Sequence, residues 1–161
     1  MKQSVQIPDA WNRVTESILG FAFRVHRELG PGLAEVLYER ALEIELSDAG
    51  IATCRQHRVT VHYKDHRIGD QVLDLVVEEL VVVELKSVES VPDKHLAQLA
   101  GYLRASDLPL GLLLNFNTLS LRDGIYRRLN QNSSRFSTPS PPSAHSANSA
   151  ALRTPPSEHP A

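Results

Sequence analysis

Apolar residues recur at three- and four-residue steps through residues 12–29, where Val14, Ile18, Phe21, Ala22, Val25 and Leu29 predict one amphipathic helix. Gly30-Pro31-Gly32 stops it, because glycine suits the position after a helix and proline cannot continue one. A second helix is expected over 33–49, with Leu33, Leu37, Ala41 and Ile44 or Leu46 as its apolar side and Gly50 as its stop. The pattern then changes to a period of two. In 58–64, Val59, Val61 and Tyr63 alternate with Thr60, His62 and Lys64, as in a half-buried strand. Residues 65–71 read as a turn with a short strand piece. The segments "VLDLVV" (72–77) and "LVVVELKSV" (80–88) form a hairpin around Glu78 and Glu79, apolar on both faces and therefore central in a sheet. Pro92 opens a third helix over 93–105, with Leu96, Leu99, Ala100 and Leu103 as its stripe. The run at 108–116 follows that helix and predicts a buried strand parallel to its predecessor, and "GIYRRL" supplies a final edge strand. This order implies an α/β (α+β) fold, a mixed β-sheet flanked by helices on both faces.

Composition sets the limits of this domain. Residues 1–11 read as a lead, 12–130 as the folded unit, and 131–161, rich in Ser, Pro and Ala, as a disordered tail. The formal net charge is −2; the tail carries two arginines and one glutamate, so the remainder stands at −3. A polyanionic partner would need a local positive patch or a metal. The single cysteine, Cys54, excludes an internal disulfide and a cysteine-rich zinc site. The opening "MKQSVQIPDAW" has no apolar core of a secretory signal, and no apolar run approaches the roughly 18 residues of a membrane span. A cytoplasmic location and no membrane association are expected.

Three charges interrupt the hairpin: Asp74, Glu84 and Lys86. Side chains alternate along a strand, so Val72, Asp74 and Val76 share one face of the first strand, and Leu80, Val82, Glu84 and Lys86 share one face of the second. With Glu78-Glu79-Leu80 as the loop, Val77 pairs with Val81 and Asp74 falls opposite Glu84. A two-residue loop would send the two acids to opposite sides of the sheet. Two carboxylates about 4 Å apart repel by roughly 4 kcal/mol at an effective dielectric near 20, and one lysine offsets only part of that. A divalent cation accounts for such a cluster, since hard oxygen ligands converge on Mg²⁺ while water and substrate phosphate complete its shell. Lys86 would then orient a water or stabilise phosphoryl charge. The plainer alternative is a surface Glu–Lys pair on an edge strand with Asp74 solvated beside it.

Asp74, nine intervening residues, and Glu84-Leu85-Lys86 resemble the core motif of the PD-(D/E)XK nucleases. "GLAEVLYE" supplies Gly32, Glu35 and Tyr38 in a GxxExxY pattern, and "HLAQLAGYL" supplies Gln98 and Tyr102 in a QxxxY pattern. Together, over roughly 14–130, they resemble the small bacterial and archaeal GxxExxY family. The resemblance implies a restriction-endonuclease-like fold. It implies Asp74, Glu84 and the Leu85 carbonyl as ligands of Mg²⁺, with Mn²⁺ as a substitute. It also implies Lys86 as the catalytic lysine, Glu35 as an additional acid, and Gln98 and Tyr102 flanking the site. Read from spacing alone, Glu35 and Tyr38 share a helix face, as do Gln98 and Tyr102. The tyrosines fit core packing equally well, Glu35 and Gln98 fit exposed helix positions, and Gly32 fits the turn. His95 reads as surface. His26, His57, His62 and His66 show no metal-ligating spacing.

The expected function is Mg²⁺-dependent hydrolysis of phosphodiester bonds in DNA or RNA. The alternative is a catalytically silent nuclease-fold module that binds nucleic acid or a protein partner, a reading favoured by the acidic charge and the lack of a basic stripe. Oligomeric state is left open by the sequence.

Overall fold

The computed structural model describes residues 5–137. Its elements run α1 (Asp9–Leu29), α2 (Glu35–Asp48), β1 (Thr53–Tyr63), β2 (His66–Val77), β3 (Val81–Lys86), α3 (Asp93–Ser106), β4 (Leu110–Asn115) and β5 (Ile125–Leu129). The strands form one sheet in the order β1-β2-β3-β4-β5. All neighbours are antiparallel except β3 and β4, which are parallel and joined through α3. This is the mixed, two-sided α/β sheet expected from the pattern. One apolar core lies under α1 and α2, and takes Leu75, Val77, Val81, Val83 and Leu85 from the hairpin. The other lies under α3, and takes Leu73, Val76 and Val82. No helix among the described residues is long and apolar enough to cross a membrane.

Helix α1 starts at Asp9, inside the expected lead. Trp11 is buried and its ring lies 4.9 Å from that of Phe136. The packed chain correspondingly runs past 130: buried Ser133 donates through Oγ to the Asp107 carbonyl at 2.6 Å, ahead of a 3₁₀ turn at Ser134–Phe136. The rest of the expected tail lies outside the described residues.

Helix α2 keeps Leu46, buried, and Ala41, partly buried, from the expected apolar side and corrects the rest. Its buried side is Tyr38, Glu39, Leu42 and Leu46, whereas Leu33, Leu37 and Ile44 are exposed. Both sides of this helix carry apolar residues, so periodicity alone cannot choose between them. Tyr38 decides it. Its ring stacks on Phe116 with centroids 4.5 Å apart, while its hydroxyl donates to the Gly30 carbonyl (2.6 Å) and accepts from Leu33 N–H (3.0 Å). The same bonds fix the loop in which Gly32 sits at φ 101°, a conformation that suits glycine. Leu29, expected on the α1 stripe, is also exposed.

The β2–β3 hairpin has the register that puts Asp74 opposite Glu84: Val77 pairs with Val81, Val76 with Val82 and Leu75 with Val83. Glu78 and Glu79 both take positive φ (55° and 49°), the geometry of a hairpin turn whose twist matches its strands. Leu80 N–H bonds the Val77 carbonyl at 3.0 Å and adds the third loop residue. The turn is tied to β1, since Glu78 N–H bonds the Ala52 carbonyl and Ala52 N–H bonds Glu78 Oε1, each at 2.8 Å. The β1–β2 hairpin is longer than expected, because 53–57 and 66–71 join the ladder and the turn falls at Lys64–Asp65.

Two glycines test this packing from opposite sides. A Cβ on Gly124 would lie 2.2 Å from the Asn115 carbonyl oxygen, whereas a Cβ on Gly20, inside α1, would meet nothing within 4 Å. Gly124→Ala should therefore destabilise the protein by about 1–3 kcal/mol, and Gly20→Ala should stabilise it by about 0.5–1 kcal/mol. Urea unfolding of both variants checks the pair.

Candidate active site

The ladder between β2 and β3 ends at Leu75–Val83, just short of Asp74 and Glu84. Beyond it, β2 stays with β1 and β3 stays with β4, so the two central strands part. The acids bridge the gap. Asp74 Oδ2 accepts from Leu85 N–H at 3.0 Å, and Glu84 Oε1 accepts from Asp74 N–H at 3.4 Å. Carboxylates thus occupy the places of the next ladder carbonyls. In an extended strand a residue's N–H and C=O point to the same edge. The Leu85 carbonyl therefore faces this gap, while the Lys86 carbonyl faces β4 and accepts from Phe116 N–H at 2.8 Å.

The hairpin also rolls over here. Leu75 packs under α1 and α2, yet Leu73, two residues away, packs under α3. Strict alternation is broken at Asp74, and Val72, expected beside it on the covered face, is 39% exposed. On β1, the residue between the pairs Arg55–Leu75 and His57–Leu73 is Gln56, with φ 52°. Such a backbone is uncommon outside glycine and marks local strain opposite the aspartate.

Lys86 closes the site. Its Nζ lies 3.7 Å from Glu84 Oε2 and 3.5 Å from Glu35 Oε1, with only 15% of the side chain exposed. Glu35 is the first residue of α2 and reaches the end of β3 because that junction is stapled. Ser87 N–H donates to Glu35 Oε2 (3.3 Å), and Ser87 Oγ donates to the Leu33 carbonyl (2.6 Å). On the α3 side, Gln98 Nε2 donates to the Tyr102 hydroxyl at 2.7 Å. Burial raises the Tyr102 pKa, and the charges of Glu84 and Asp74 raise it further, so this hydroxyl lies within electrostatic reach of both acids. The structure therefore gathers Asp74, Glu84, Leu85, Lys86 and Glu35 at one end of the sheet, with the Gln98–Tyr102 pair beside them.

Burial and mutual repulsion act on the acids together. Glu84 is 4% exposed, and its carboxyl is pushed up to about 8, first by burial and then by the Asp74 charge, against the pull of Lys86. Asp74 is raised as well, by burial first, although the Leu85 N–H bond opposes this. The lysine alone leaves the acids under-compensated.

Two groups near the site escaped the sequence reading. Glu39, one turn after Glu35 on α2, is 4% exposed; Gln56 Nε2 donates to both its oxygens (3.0 and 2.9 Å) and Arg55 Nη1 to Oε1 (2.9 Å). Its charge also contributes to raising Asp74. The Glu35–Glu39 spacing of four was the available signal. His95 is half-buried rather than at the surface, and its Nδ1 is enclosed without a hydrogen-bond partner. Burial lowers its pKa, and Lys86 and Lys94 lower it further. Its spacing of three from Gln98 on α3 was the signal there.

The family profile of the PD-(D/E)XK nuclease superfamily matches residues 12–128. The chain belongs to that superfamily. No curated protein matches it at a significant level. The superfamily generally uses divalent metals. Among the described residues no group of three or more His, Cys, Asp or Glu is arranged to hold one. The fit here rests instead on a buried and a half-buried carboxylate, Glu84 and Asp74, which repel each other, and a carbonyl turned to the same gap, an all-oxygen donor set of the kind hard cations take.

The raised carboxyls carry a pH signature. An unfolded glutamate releases its proton near 4.5, whereas folded Glu84 holds it to about 8. Between those values the native state binds more protons, so stability without metal falls as pH rises across that window. Melting in EDTA from about pH 5 to pH 8 should show this decline. Glu84→Gln should flatten it and raise the melting temperature at the alkaline end. Identical profiles for both proteins would show that neither burial nor the Asp74 charge raises the Glu84 carboxyl.

Proposed function

We propose that this protein is a divalent-metal-dependent nuclease that hydrolyses phosphodiester bonds. The reading is carried by one observation: the point where β2 and β3 part brings two repelling carboxylates, a main-chain carbonyl and a lysine together at one end of the central strands. Asp74, Glu84 and the Leu85 carbonyl would hold the ion, with Mg²⁺ the physiological choice and Mn²⁺ a substitute. When bound, the ion neutralises the paired acids and supplies Lewis-acid stabilisation of phosphoryl charge.

The chain's own groups do the rest. Lys86, held between Glu84 and Glu35, is placed to orient a water for in-line attack. A water oxygen–phosphorus bond forms as the bond from phosphorus to the leaving alkoxide breaks. Glu35, which is partly exposed, is the additional acid within reach of the lysine. Gln98 and Tyr102 sit at the flank, where their paired polar atoms can meet a phosphate oxygen. The Gly32, Glu35 and Tyr38 pattern fits the narrower GxxExxY group: the glycine shapes the loop, the tyrosine pins it, and the glutamate is thereby delivered to Lys86.

Cleavage of labelled DNA and RNA oligonucleotides with Mg²⁺ or Mn²⁺ tests this. Wild type should cut, EDTA should abolish cutting, and Lys86→Ala and Asp74→Asn should each lower turnover by about 10²–10³-fold while melting cooperatively. Equal activity in all three proteins would remove the assignment. Binding without cutting by wild type in either metal would favour the silent binding module.

A further inference from the structure

Between the β1–β2 hairpin and α3 runs an open groove of about 690 Å³ that includes His62, Gln71, Gln98, Gly101, Tyr102 and Arg104 in its lining. It begins at the Gln98–Tyr102 pair and leads away from the carboxylates along β1. Three features set it apart. Among the described residues no acidic side chain lines it, although the chain as a whole carries −2. Arg104 is exposed and makes no ion pair among the described residues, whereas Arg58 and Arg67 on the nearby hairpin are spent on Asp70. Its α3 side holds a glycine in the helix interior, where glycine is the poorest ordinary helix former.

The fold does not require that glycine. A Cβ at Gly101 would meet only the far end of Arg104, at 3.8 Å, and φ there is not positive. By contrast, a Cβ on Gly111 would lie 2.9 Å from Leu99 Cδ1, so packing explains that glycine. Gly101 instead keeps the groove open and lets a ligand approach the helix backbone closely, one of the uses glycine serves.

We propose that this groove takes a single strand of nucleic acid running on from the cleavage site, with Arg104 and His62 meeting its phosphates and Gly101 leaving room for its backbone. The inference rests on the nuclease reading above and names the form of its substrate. The groove falls within the volume range of sites that hold one small ligand, room for a short stretch of one strand and not for a double helix. A lone cation on an acid-free wall suits a phosphate track, and the polar edges of Gln71 and Gln98 suit bases without demanding a sequence.

Binding of fluorescein-labelled dT₁₂ and rU₁₂ to the full chain, followed by anisotropy in EDTA over a range of salt, tests the groove apart from catalysis. Arg104→Ala should weaken binding several-fold and reduce the slope of log K against log salt by about 0.7, and Arg104→Lys should restore the slope. Gly101→Leu should raise the melting temperature by a few degrees yet weaken binding at least tenfold, a split that a purely structural glycine would not produce. A 12-base-pair duplex should compete at least tenfold less well than the better single strand, and the preferred oligonucleotide names the sugar the groove accepts. Wild-type affinity in both Gly101→Leu and Arg104→Ala, equal competition by duplex, or no binding of either strand would overturn the proposal. If Lys86→Ala stops cleavage while both groove variants bind and cut like wild type, the groove fails and the nuclease reading stands. If wild type never cuts but Gly101→Leu loses binding, the groove stands and the hydrolytic reading fails.

Discussion

Two strands that separate while still central in a sheet leave main-chain groups without partners, in a place water reaches poorly. Here the separation of β2 and β3 beyond Leu75–Val83 is met by acidic side chains rather than by carbonyls: Asp74 takes Leu85 N–H and Glu84 takes Asp74 N–H. That substitution satisfies the backbone, but it sets two carboxylates against each other under burial. The rest of the site answers that constraint. Lys86 leans on Glu84, Glu35 leans on Lys86, and the Ser87 bonds hold α2 where Glu35 can do so. The remaining charge imbalance is what a bound cation would relieve.

The scaffold around this point is devoted to position. Tyr38 spends its hydroxyl on the loop before α2 and its ring on Phe116, so the helix begins at one defined place. Asn115, beside Lys86 across the parallel pair, clamps the chain leaving β3 through both main-chain groups of Val88. On the far side, Gln56 takes a strained backbone opposite Asp74 and closes its amide on Glu39. A site that depends on a local break in a ladder needs its surroundings to be rigid, because a one-residue slip would turn the acids away from each other.

Most helices and strands were legible because their hydrophobic periods were clear, and the parallel placement of β4 followed from the helix before it. The placing of Asp74 opposite Glu84 was legible too, since it follows from an odd number of loop residues between Val77 and Val81. Where two readings of a pattern were equally apolar, the chain gave no means to choose. Helix α2 buried Tyr38, Leu42 and Leu46 and left Leu33, Leu37 and Ile44 in solvent. Glu39 and His95 were only partly legible for a related reason: their spacing from Glu35 and Gln98 marks the helix face they share, but a charged or polar residue on a helix carries no local sign of whether the rest of the fold will enclose it.

Local chemistry thus determined the elements, their order, and which acids face each other, because alternation and turn length act over a few residues. Only tertiary structure decided that β2 and β3 part at Asp74, that the hairpin rolls over there, and that Glu35 arrives from the other side of the sheet. The last of these depends on contacts between segments more than 50 positions apart, Ser87 with Glu35 and Leu33, and the first two on how neighbouring strands compete for partners. No period or spacing within one segment encodes which distant partner will win that competition.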